Sequence, residues 1–148
     1  MPIKTFRGLI ADNTSDTIVL HTNNGSIGYR IKKFELFATT PGVIDVGHIV
    51  QVFTIPKTDT TLYDDVDFSD QTLLAAAYYK DDEGGAGYSD LYAQNIIFDN
   101  QTFNQDIYVT HADVKGSRGV NYYIELEQVR LDLNENTVAT LKDIRNNA

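Results

Sequence analysis

The sequence predicts an all-β protein: one antiparallel β-sandwich domain spanning residues 1–148, a single jelly roll by preference, closed by one short C-terminal helix. Eight or nine short apolar runs recur at roughly 8 to 12 residue spacing and are rich in Tyr, Val, Ile and Thr. Clusters of Asn, Asp, Gly and Pro separate them. No internal repeat and no Pro- or Ser-rich linker divides the 148 residues, a length suited to one domain and short for two. A jelly roll fits eight strands and long loops at the sheet ends into this length. An immunoglobulin-like sandwich is the alternative, weakened by the absence of Trp and of a Cys pair.

The first two runs, KTFRGLIA (residues 4–11) and DTIVLHT (16–22), flank Asp12-Asn13-Thr14-Ser15 and read as a hairpin. Asn24-Gly25 then suits a type I′ turn, which needs two positive φ values, leading into IGYRIKKFELFA (27–38). In that run Tyr29 and Ile31 share one parity and Phe34 and Leu36 the other, so a β-bulge is expected at Lys32 or Lys33. Pro41-Gly42 ends the strand, and GHIVQVFTI (47–55) is apolar on both parities, the mark of burial on both faces or of an interface. Pro56 opens an acidic loop over residues 57–70, with a short edge strand expected at 66–68.

TLLAAAYY (72–79) has strand length and flanking breakers, although its Leu-Leu-Ala-Ala-Ala core alone favours helix. A glycine-rich acidic loop (81–90) precedes LYAQNIIF (91–98), QDIYVTHA (105–112) and the long VNYYIELEQVRLDL (120–133). In the last run Tyr122, Ile124 and Leu126 share a face that Val129, Leu131 and Leu133 do not, which predicts a second bulge near Glu127 or Gln128. Asn caps at 134 or 136, the apolar line Val138, Leu141 and Ile144, and terminal Lys142 and Arg145 predict the closing helix.

Composition narrows the chemistry. Without cysteine the chain has no disulfide framework, thiolate nucleophile or thiolate metal site. The start lacks the apolar run of a secretory signal, and no stretch is long and apolar enough for a membrane helix. Of the formal charge of −9, residues 59–106 hold eleven acidic groups against one basic, Lys80, a net −10 that would repel nucleic acid phosphate. The one tight basic group, Arg30, Lys32 and Lys33, reads as a solvated strand face.

His21, His48 and His111 each sit in a predicted strand without metal-ligand spacing, and read as strand histidines with ordinary hydrogen-bond partners. Residues 64–70 fail the EF-hand pattern: counted from Asp65, Asp70 stands where glycine belongs and Ala76 where glutamate belongs. Solvated acidic loops are the preferred reading of Asp64, Asp65 and Asp67 and of Asp81, Asp82 and Glu83, with a nonstandard calcium site as the alternative. No nucleotide-binding glycine motif and no linked nucleophile, base and orienter occur, so neither a cofactor nor an enzymatic activity is expected. Among nine tyrosines, the pairs Tyr78-Tyr79 and Tyr122-Tyr123 put an aromatic on both faces of their strands. The outward member would pack on neighbouring subunits or stack on sugars, or else both faces are covered within the monomer.

IGYRIKKFEL (27–36), IIFDNQTFNQDIYVTHAD (96–113) and NYYIELEQVRLDLNENTVATLKDIR (121–145) together resemble a group of small virion structural proteins common in marine bacteriophages and viral environmental sequences. The acidic middle segment is least well matched, and the resemblance carries no catalytic residue onto this chain. It implies a capsid shell or capsid-decoration subunit, located in the virion, that partners itself and other virion proteins. Tyr78, Tyr122, Val138, Leu141 and Ile144 are the expected subunit contacts, with the acidic loops facing away from packaged genome. The competing expectation is a lectin-like carbohydrate-binding module on a phage tail or cell surface, using exposed Tyr and acidic loops.

Overall fold

The computed structural model describes residues 2–21, 26–41, 45–82 and 91–131. The Asn24-Gly25 turn, residues 83–90 and the C-terminal helix with Val138, Leu141 and Ile144 lie outside the described residues. Among those described, eight strands form two antiparallel sheets packed face to face, a β-sandwich. One sheet has the order β1 (Ile3–Ile10), β8 (Val120–Arg130), β3 (Ile27–Ala38). The other has the order β2 (Thr14–Ile18), β7 (Ile107–Asp113), β4 (Val46–Phe53), β5 (Leu73–Asp82), β6 (Leu91–Phe98).

β1 and β2 therefore do not form the expected hairpin, nor do β2 and β3. β1 pairs with β8 and β2 with β7, in different sheets. The Asp12–Asn13 corner carries the chain across: Asn13 takes φ 57°, which asparagine tolerates better than most residues, and its N–H donates to His111 O at 2.9 Å. Asp12 Oδ1 accepts the Asp113 N–H at 2.7 Å, fixing the corner on β7. The turn chemistry was legible, but the same residues serve a crossing between sheets as well as a hairpin.

Period-two alternation builds the core. Ile10, Phe34, Ile124 and Leu126 project inward from one sheet and Val50, Val52, Ile107 and Val109 from the other, each at most 1 % exposed. Each such side chain contributes about 1.5–3 kcal/mol on burial. The register shift between Ile31 and Lys33 against β8 is the expected bulge, with Lys32 as the extra residue.

The second expected bulge is absent: β8 stays in register with β3 through Gln128, Val129 and Arg130. Its apolar phase changes because the sheet is covered on its outer side at this end, where Leu131 packs over Gly28 beside Thr102. β4 is buried on both faces, as its two-sided pattern predicts. The cover on its outer face is the 54–72 loop, which contains a short 3-10 turn (Thr60–Leu62) and no edge strand at 66–68.

Candidate functional site

Three places on this scaffold combine polar chemistry with shape. The first is the outer face of the β1–β8–β3 sheet, where alternation stacks side chains in rows across the strands. One row is Leu9, Asn121 and Phe37; the next is Arg7, Tyr123 and Glu35; a third is Thr5, Glu125 and Lys33. Together the first rows shape a groove of about 540 Å³, with Asn121 on its floor and Leu9 and Phe37 as exposed walls. Tyr123 donates to Glu125 Oε2 at 2.7 Å, which holds its phenol proton above the usual range. Lys33 Nζ lies 3.8 Å from Glu35 Oε1 and 6.0 Å from the Tyr123 ring centre. Arg7 makes no ion pair among the described residues. Further along this face Arg30 and Lys32 both reach Glu127, at 2.9 and 3.7 Å, so the basic trio is spent largely on carboxylates of its own sheet.

The second place is the acidic loop on the outer face of the other sheet. Gln51 projects outward from β4 and its Nε2 donates to Tyr63 O at 3.2 Å and Asp65 O at 3.1 Å, tying the loop down. A repeated Asp-x-Ser/Thr pattern then shapes it. Asp59, Asp67 and Asp70 each accept from both the N–H and the hydroxyl of the residue two positions on, Thr61, Ser69 and Thr72. For Asp70, burial pushes the carboxyl up, but Thr72 and Lys57, whose Nζ is 3.0 Å away, hold it below the usual range.

These carboxylates thus act largely as turn acceptors, and among the described residues no group of three or more His, Asp or Glu is placed to hold a metal ion. Asp64 and Asp65 remain exposed, with no side-chain partner among the described residues. Beside them Val66 and Phe68 are open to solvent, Phe68 at 67 % exposure, next to a smaller apolar groove of about 240 Å³ lined by Ile49, Tyr78 and Ile97.

The third place is buried. His48 and Asp113 are cross-strand neighbours on the inner face, as are Val50 and His111. His48 Nδ1 lies 2.8 Å from His111 Nε2, and His111 Nδ1 lies 3.1 Å from Ala11 O. A carbonyl only accepts, so His111 carries its proton on Nδ1; its Nε2 then accepts from His48 Nδ1–H. His48 Nε2 is left as a lone pair with no hydrogen-bond partner, beside the Tyr79 ring.

Burial, then the neighbouring imidazole, lowers the His48 pKa to about 4, and burial lowers that of His111. Burial pushes the Asp113 carboxyl up, but the backbone N–H groups of Arg118, Gly47 and Lys115 more than offset this and hold it low. Both histidines are 0 % exposed, so no external substrate reaches them while the sheets stay packed.

The expected contact residues separate. Tyr78 is half-buried on the outer face and lines the small groove. Tyr122 is corrected: it points into the core at 7 % exposure, its ring lying over Gly8 across the strand and its hydroxyl 3.4 Å from Asp16 Oδ2 of the opposite sheet. Burial and Asp16 push its phenol up to about 12. Tyr123 is the outward member of that pair. The parity shared by Tyr122, Ile124 and Leu126 already carried this information. The histidine pair was missed because two strands far apart in sequence make it, although both residues sit on the buried parity of their strands.

Compared with protein families, curated proteins and solved structures, the chain shows no significant match.

Proposed function

We propose that this chain is a virion structural subunit, a shell or decoration protein that self-assembles through its sheet faces and catalyses no reaction. The carrying observation is that large apolar side chains stand open on both outer faces of the sandwich. Leu9 and Phe37 are 62 % and 66 % exposed on one, and Phe68 and Ile97 are 67 % and 57 % exposed on the other. Apolar groups gathered around grooves on opposite faces suit contacts between copies better than a lone soluble domain.

The strand order supports a jelly-roll reading. The first four strands alternate between sheets, and β8 lies between β1 and β3 as β7 lies between β2 and β4. Location in the virion is part of the same proposal.

Sedimentation velocity of the purified full chain over a concentration series, with electron microscopy of the assembled fraction, tests this reading, together with mass spectrometry of purified particles. Concentration-dependent assembly and presence in virions are expected. A chain that stays monomeric and is absent from particles overturns it.

One observation favours a second reading, a carbohydrate-binding module. The outer groove sets Asn121 between the apolar walls Leu9 and Phe37, with Arg7 and Glu35 in the adjacent row, a mixture of donors, acceptors and flat surface that suits a sugar ring. Glycan-array binding lost on Asn121→Ala, measured with and without calcium, would favour it.

A further inference from the structure

We infer that the acidic loop of one copy seats in the outer groove of the next, joining chains head to tail. This rests on the self-assembly reading above and names its contact. Leu9 and Phe37 stand on β1 and β3 with β8 between them, so the walls are about 10 Å apart, two strand spacings, with room for one aromatic side chain.

Phe68 is the most exposed large apolar residue among those described, held out on a loop that Gln51 and the aspartate turns keep in shape. A preorganised loop loses less conformational freedom on docking than a free one. The charges match as well. Asp64 and Asp65, just before Phe68, have no side-chain partner among the described residues; Arg7, at the groove, has no ion pair among them. Insertion of Phe68 between the walls brings an unpaired anion to an unpaired cation.

The loop and the groove lie on opposite faces of the sandwich. The contact is therefore heterologous, and its repetition builds a ring or an open row rather than a closed pair.

The test is charge exchange in the full chain, read by sedimentation velocity at low salt. Arg7→Glu alone and Asp64→Arg with Asp65→Arg are each expected to raise the concentration of half-assembly at least about tenfold, and Phe68→Ser likewise. All three charge changes in one chain restore assembly to within about threefold of the wild type, because anion and cation have exchanged places. These positions are exposed, and unchanged circular dichroism and melting show that each variant is folded. Wild-type assembly that the single exchanges leave intact, or that the combined exchange fails to restore, overturns this contact while leaving self-assembly standing. A wild type that is monomeric throughout removes both, and hexose binding by that monomer, lost in Arg7→Glu, identifies a glycan as the occupant instead.

Discussion

Acidification from pH 7 to pH 4 is expected to destabilise the sandwich chiefly through its buried histidine pair. In the folded chain His48 protonates only near pH 4, against 6.5 for an ordinary histidine, because burial disfavours the charged ring and the neighbouring His111 imidazole adds to the cost. The unfolded chain therefore binds the proton first. Stability contributed by the neutral pair is complete above about pH 6.5, falls as pH drops, and is fully lost below about pH 4.

The difference of about 2.5 pH units corresponds to about 3 kcal/mol, a large share of the stability of a domain this size. His111, also lowered by burial, adds to the loss in the same direction. Asp70, Asp113 and Asp106, whose Oδ1 accepts from the Leu20 and His21 N–H groups at 2.8 and 3.0 Å, are held below the ordinary carboxylate value of 3.8, so their contributions disappear only beneath this window. Urea denaturation at intervals between pH 7 and pH 4 measures the slope, alongside a His48→Gln chain that cannot titrate at that position. The wild type should lose about 3 kcal/mol more than the variant across the window. Equal slopes in the two chains, or a flat wild type, would refute both the proton assignment and the burial argument.

Gly28→Ala places a Cβ 2.9 Å from Thr102 Cγ2 and 3.2 Å from the Leu131 methyls, and should cost about 1–3 kcal/mol by chemical denaturation. Gln51→Leu removes the two hydrogen bonds that hold the acidic loop, costing about 1–3 kcal/mol and speeding proteolytic cleavage within residues 57–70. In an alkaline titration followed by phenolate absorbance, the Tyr122 phenol ionises near pH 12, and Tyr122→Phe deletes that step.

Local pattern carried much of the fold. Alternation located the strand segments, the parity break at Lys32 located a bulge, and the apolar double phase of β4 announced cover on both faces. The same parity rule misled at the end of β8, where outer-face packing of Leu131 imitates a bulge. At Tyr122 alignment with Ile124 and Leu126 places the ring inside. The aspartate turns were legible too, in the repeated Asp-x-Ser/Thr spacing that the acidic loop carries three times.

By itself the sequence determined where most of the strand segments run, the alternation that buries their inner faces, and that charge is concentrated in the middle of the chain. Those properties depend on neighbours one or two residues apart, through the alternation of side chains and the conformational preferences of turn residues. Partners were decided only in three dimensions: that β1 joins β8 and not β2, that His48 meets His111, and that Leu9 and Phe37 face each other across Asn121. Such pairings join residues far apart in the chain, and the choice among them rests on packing two whole sheets against each other at close density while pairing most of their buried polar groups.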